Sequence, residues 1–173
     1  MCHARVSVFT ATILVGSLAA CADHPVPTQP TALTPALSLA IPLEGEAGSG
    51  DGQIKDRSRA SGGRTVHLGP GERRSWTFKR SAVPMVYAVS VTYSNGQEGE
   101  NEVIRVTVDG ALVSSFTNRD SGDAIEGWNL FVTDAAGTSR LGSTSHTLML
   151  EVQGGDGCVE IDHVTLSPAG AVP

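Results

Sequence analysis

The chain has 173 residues, with 12 Lys and Arg against 18 Asp and Glu for a formal charge of −6, and three cysteines. So acidic a chain has no electrostatic footprint for nucleic acid, which excludes that partner. Three cysteines cannot staple a disulfide scaffold, so stability must come from a packed core. The apolar run from Val6 to Ala20 is shorter than the roughly 20 residues a transmembrane helix needs.

Residues 1–20 carry the three parts of an export signal: a short n-region with His3 and Arg5, the apolar run, and small residues at its end. Leu18-Ala19-Ala20-Cys21 resembles a bacterial lipobox, in which cleavage precedes a cysteine that then becomes lipidated. The alternative is an ordinary secretory signal cut before Ala22 or nearby. The lipobox reading predicts lipidation at Cys21 and a mature protein anchored to a membrane of the bacterial cell envelope, facing away from the cytoplasm. If the host has an outer membrane, Ala22 favours sorting to it. Removal of residues 1–20 leaves 11 basic and 18 acidic side chains, a formal charge of −7, and leaves Cys158 without a disulfide partner.

Residues 21–40 hold Pro25, Pro27, Pro30 and Pro35 among Thr, Ala and Leu. Such a stretch cannot bury enough surface to fold and predicts an extended tether of roughly 3 Å per residue where it is polyproline-like. From residue 41 to 168, short runs with period-two alternation are separated by Gly, Asn, Asp and Ser, the pattern of antiparallel strands. The predicted strands are Thr65 to Leu68, Ser75 to Lys79, Met85 to Tyr93, Val103 to Asp109, Ala111 to Phe116, Trp128 to Thr133, His146 to Val152 and Val159 to Leu166. Asp109-Gly110 is the pair a type I′ hairpin turn prefers, because both central positions need φ > 0. In the last strand Val159 and Ile161 share one parity and Val164 and Leu166 the other, which predicts a bulge near Asp162-His163. Eight or so strands without helical periodicity predict an all-β antiparallel sandwich with jelly-roll or Greek-key connections, followed by a tail at 169–173.

After the leader the aromatics are Trp76, Phe78, Tyr87, Tyr93, Phe116, Trp128 and Phe131. Trp76, Phe78, Tyr87 and Tyr93 alternate within strands and are expected in the core. Trp128 follows the polar loop from Asn118 to Gly127, and is either exposed on that loop or a cap on the core. Gly48 to Gly52 lacks the spacing and context of a dinucleotide loop. The G-x-S-x-G, H-E-x-x-H, C-x-x-C and G-x-x-x-x-G-K-[ST] patterns are absent. No carboxylate pair is singled out for glycosidase chemistry, so the expectation is a protein without catalytic activity.

Several short segments, taken in order, carry a resemblance. They are Leu43-Glu44-Gly45-Glu46-Ala47, Ser61-Gly62-Gly63, Ser75-Trp76-Thr77-Phe78, Tyr87 to Tyr93, Val106 to Gly110, Gly127-Trp128 and Val159-Glu160-Ile161-Asp162. Their order and spacing are similar to carbohydrate-binding modules of the family 6 and family 35 type, which have a galactose-binding-like jelly roll. The resemblance covers Leu43 to Ser167 and implies non-catalytic binding of a polysaccharide or other glycan. It also implies a structural calcium held by Glu44, Glu46 and Asp162, with a backbone carbonyl around Gly63 or Arg64. Two carboxylates at i and i+2 on a strand point to the same side, which would let Glu44 and Glu46 grip one hard cation; the alternative is three solvated strand-edge acids. The resemblance places Trp128 as the platform for a sugar ring, with His67 where many family 6 modules have a tyrosine and Glu160 where they have an asparagine. Asn129 is a further candidate for reading hydroxyls, or an ordinary outward strand residue. A second reading from a different class is a structural or interaction lipoprotein that uses the same sandwich to hold an envelope protein.

Overall fold

The computed structural model describes residues 40–79, 84–96, 100–122, 127–142, 145–155 and 157–169. The export signal, Cys21 and the tether lie outside the described residues, as does the tail beyond Ala169. Among the described residues there are eleven strands: β1 (Ile41–Glu44), β2 (Ser49–Gly50), β3 (Gln53–Asp56), β4 (Arg64–Leu68), β5 (Arg73–Lys79), β6 (Met85–Ser94), β7 (Val103–Val108), β8 (Ala111–Thr117), β9 (Val132–Leu141), β10 (Ser145–Gln153) and β11 (Val159–Pro168). Gly45–Ala47 and Gly127–Asn129 form single 3-10 turns.

The strands form two sheets, and every pairing is antiparallel. One runs β3-β4-β11-β6-β9, with β1 also on β11; the other runs β2-β5-β10-β7-β8. The inward parity of each strand supplies the core. Tyr87, Val89, Val91 and Tyr93 of β6 meet Ile104, Val106 and Val108 of β7 and Leu148, Leu150 and Val152 of β10, all buried. Each such side chain contributes about 1.5–3 kcal/mol of burial. Trp76 and Phe78 are buried with them, as their alternation requires. The architecture is an all-β jelly-roll sandwich.

Strand β11 lies at the centre of the first sheet. β6 occupies one flank, while β4 pairs with Val159 to Ile161 and β1 with His163 to Leu166 on the other. The register on β6 shifts between Ile161 and His163, so the bulge falls where the alternation places it and lets Val159, Ile161, Val164 and Leu166 all face the core. Asp162 sits at the handover from β4 to β1. The β7–β8 hairpin closes through Asp109 (φ 52°) and Gly110 (φ 78°), the backbone that an Asp-Gly turn supplies.

Three expectations are corrected. Trp128 is not in a strand: it lies in the 3-10 turn Gly127–Asn129, and β9 begins at Val132 and continues to Leu141. Glu46 does not share a strand with Glu44, because β1 ends at Glu44 and the chain turns at Gly45. That turn lies so close to β11 that a Cβ on Gly45 would run into the Ile161 carbonyl. Strands β2 and β3 carry no apolar alternation and are absent from the sequence reading.

Candidate functional site

Two carboxylate groupings lie on the outward side of β11. The first surrounds Asp162. Glu44, Asp162 and His163 bring ligand atoms within 4.8 Å of one another. Ser61 ties the β3–β4 loop to the same place, its N–H donating to Asp162 Oδ1 (2.8 Å) and its hydroxyl to Glu44 Oε1 (3.1 Å). Glu46 faces this loop from the 3-10 turn, with Gly62 against its Oε1. Two residues of β5 hold the acids in place. Trp76 Nε1 donates to the Glu44 carbonyl (2.7 Å), and the Arg74 guanidinium donates to the carbonyls of Gly45, Glu46, Gly50 and Asp51. Burial pulls the Arg74 pKa below its ordinary value, against the raising effect of Glu46.

The donor set fits a hard cation. Glu44 Oε2 and Glu46 Oε2 are both removed from water and have no hydrogen-bond partner, an arrangement that costs free energy unless something positive satisfies it. Arg64 is 3.9 Å from Glu46 Oε1, on a largely exposed side chain, and does not reach these atoms. His163, which the sequence reading did not single out, points Nδ1 at Asp162 Oδ2 (3.0 Å). That hydrogen bond raises the imidazole pKa, with burial opposing it. Glu44 and Asp162, with Glu46 facing the same loop, offer carboxylate oxygen, the donor type that suits calcium. The Gly63 carbonyl accepts from Arg57 N–H (2.9 Å).

The second grouping surrounds Glu160. Its side chain is fully buried. Arg57 clasps it with a fork, Nε to Oε2 (2.6 Å) and Nη2 to Oε1 (2.5 Å), and Thr65 Oγ1 donates to Oε2 (2.8 Å). Burial alone would raise this carboxyl, but the hydrogen bonds from Arg57 and Thr65, the nearby His67 and the Arg57 charge hold it down at about 2. Glu160 is therefore not open to a ligand: both oxygens are committed, and its role is to fix Arg57 and to stand 3.4 Å from His67 Nδ1. This corrects the reading of Glu160 as a direct hydroxyl acceptor.

The remaining candidates converge here. Trp128 is partly buried, lies over Gly96, and packs against His67 with ring centroids 5.7 Å apart and planes at 50°. Its turn is pinned by Ser94 Oγ to the Trp128 carbonyl (3.3 Å) and Ser121 Oγ to the Gly127 carbonyl (2.7 Å). Asn129 reaches across to the β3–β4 loop, accepting from Arg59 N–H (3.0 Å) and donating to Ser58 Oγ (2.9 Å). Beside it opens a pocket of about 510 Å³ lined by Asp56, Arg57, Ser58, Gly63 and Asn129. His67 lines a smaller hollow of about 260 Å³ with Gln53, Gly69, Pro70, Glu72 and Cys158. His67, Trp128, Asn129 and Glu160 thus form one neighbourhood, while Glu44, Glu46 and Asp162 form another, and the loop from Arg57 to Gly63 touches both.

Arg57 and Ser58 are functional candidates that sequence reasoning missed. The only local signal is a polar run ahead of Ser61-Gly62-Gly63; the partner of Arg57 lies 103 positions away.

No family model matches the chain, and no curated protein matches it. Solved structures do. A family 35 carbohydrate-binding module from Clostridium thermocellum aligns at 18% identity with a TM-score of 0.62, over 73% of this chain and 96% of that one. A GH26-CBM35 β-(1,4)-mannanase from Podospora anserina aligns at 20% identity and TM-score 0.61 over 78% of this chain, which spans 28% of the mannanase. The mosquito-larvicidal Cry4Aa toxin from Bacillus thuringiensis aligns at 13% identity and TM-score 0.64, over 76% of this chain and 24% of the toxin. At these identities the likeness is one of fold, and it carries no activity across by itself. The described domain has the jelly-roll fold seen in family 35 carbohydrate-binding modules.

Proposed function

We propose that this chain is a non-catalytic glycan-binding domain, anchored in a bacterial envelope by lipid on Cys21, with one calcium ion held by Glu44, Glu46 and Asp162. The observation that carries the reading is the partly buried Trp128, next in the chain to Asn129, which lines a pocket whose donors are already fixed. A sugar needs an apolar face for its ring and a few oriented polar groups for its hydroxyls. Here Arg57 is clamped by Glu160, and Ser58 and Asn129 are clamped to each other, so little ordering remains to be done on binding. The likeness to modules that bind carbohydrate supports the same reading. Among the described residues the exposed large hydrophobics are Ile54 and Leu112, one on each sheet, which favours a glycan over a broad apolar protein contact.

A glycan array probed with the full chain, with and without calcium, tests the reading. Wild type binds a defined glycan set and the Trp128→Ala variant folds but loses it. If Trp128→Ala folds and binds every glycan that wild type binds, the platform is elsewhere. The anchor is tested separately: Cys21→Ala moves the protein from the detergent phase to the aqueous phase, and unchanged partitioning removes the lipid from the reading.

A further inference from the structure

The Arg57–Glu160 fork has a consequence for which sugars the groove accepts. Arg57 directly follows β3, and its N–H on the Gly63 carbonyl fixes the backbone at the pocket's rim. The guanidinium turns inward to a carboxylate that is fully buried and held ionised by that contact. Nε and one N–H of Nη2 are spent on Glu160. The guanidinium retains further N–H groups, and its side chain remains 28% exposed on a residue that lines the pocket. The positive charge, however, is already matched by Glu160. Asp56 adds a negative charge to the same lining, while Ser58, Gly63 and Asn129 add none. Arg59 extends from the same loop but does not line the pocket, and Arg64 faces Glu46.

We propose that Glu160 is a specificity-determining residue: by neutralising Arg57 it leaves a groove that donates hydrogen bonds but selects uncharged sugar rings over sugars bearing a carboxylate. This rests on the reading of the groove as a sugar site. A sugar carboxylate must shed its water, and only an uncompensated cation repays that cost. Here the one cation of the lining is matched, and the other charge of the lining is an aspartate. A hydroxyl needs only the oriented donor.

The test is NMR titration of the full chain with paired probes, methyl glucoside against methyl glucuronide and methyl galactoside against methyl galacturonide. Wild type prefers the neutral member of the pair it binds by about tenfold or more, which equals about 1.4 kcal/mol. Glu160→Gln keeps the shape but frees the charge of Arg57, so uronide binding rises about tenfold, falls again with added salt, and is abolished when Arg57→Gln is added. Equal or tighter uronide binding by wild type overturns the proposal while the glycan reading stands. If wild type binds neither member of either pair, the glycan reading fails, and the charge assignment is then read from Glu160→Gln: a salt-sensitive uronide response that depends on Arg57 supports it, and none overturns it. Should Glu160→Gln not fold, Asp56→Asn at an exposed position decides. Removing the remaining negative charge of the lining raises uronide response severalfold over wild type, and an unchanged response overturns the proposal.

Discussion

Glu160 and Asp162 stand two residues apart on β11, both withdrawn from water, yet their surroundings are opposite in kind. Around Glu160 the protein supplies its own counter-charge: Arg57 forks onto the carboxylate and Thr65 fills a remaining lone pair. Around Asp162 it places His163 at 3.0 Å but also gathers further acids. Glu44 and Glu46 each present an oxygen with no partner, Arg64 stays 3.9 Å from Glu46 Oε1, and the Arg74 guanidinium is spent on backbone carbonyls. Buried carboxylates are tolerated only when paired. The first grouping is thus complete as protein, while the second leaves two carboxylate oxygens without a partner.

Breaking the complete grouping has the largest effect. Arg57→Ala leaves Glu160 buried and unpaired, and costs about 3–5 kcal/mol, lowering the melting temperature by roughly 10 °C or more. Calorimetry checks this, and a loss below about 1 kcal/mol means that water or another donor replaces Arg57.

The pH dependence of stability sharpens the same contrast. Glu160 is depressed from 4.5 to about 2 in the folded state. Its contribution is therefore present above the unfolded value near 4.5 and is lost as pH falls toward 2. A shift of that size is worth on the order of 3 kcal/mol. Denaturant unfolding of wild type and Glu160→Gln across pH 2–6 isolates it: the difference between the two is largest above pH 4.5 and shrinks toward pH 2. A difference independent of pH shows that Glu160 stabilises by shape and not by charge.

Calcium separates the two groupings directly. An ion bound only by the folded state stabilises it by about 2.7 kcal/mol at a hundredfold excess over its dissociation constant. Chelation lowers the melting temperature of wild type. Glu46→Gln melts at or above the wild-type temperature in chelator, because like-charge repulsion is relieved, and below it in calcium. A variant that is destabilised equally in both conditions acts as a structural hydrogen bonder. Glu160→Gln, by contrast, loses stability with or without calcium.

The smallest expected effect is on binding alone. Trp128→Ala removes the stacking face, worth on the order of 1–3 kcal/mol judged from the apolar area one sugar ring buries, and weakens glycan affinity by roughly tenfold or more. Isothermal titration measures it, and unfolding of the variant would make Trp128 a cap on the core.

Much of the fold was legible because it rests on local rules. Asp109-Gly110 specifies its own turn, alternation commits Trp76, Phe78, Tyr87 and Tyr93 inward, and the change of parity between Ile161 and Val164 marks the bulge. What escaped the sequence lacks such a signature. β9 runs on through Asp134 to Leu141, a polar stretch with Gly137 inside it, and becomes a strand by pairing along β6. Edge strands such as β3 are polar as a rule, so Gln53 to Asp56 reads as loop. Trp128 keeps its expected neighbourhood but owes its orientation to Gly96 and to the serines that pin its turn.

By itself the sequence determined the sandwich and the strand parities, since both follow from residue type and spacing along the chain; the acids were named by a resemblance, and Trp128 was left open between a loop and a cap on the core. Only the tertiary structure decided what those residues do. It withdrew Glu160 from any ligand and gave it to Arg57, 103 positions away, added His163 to the acids around Asp162, and brought the loop after β3 against Asn129. The physical reason is that charge compensation depends on distance in space, and the partner of a buried carboxylate is set by which strands flank β11 rather than by its neighbours in the chain.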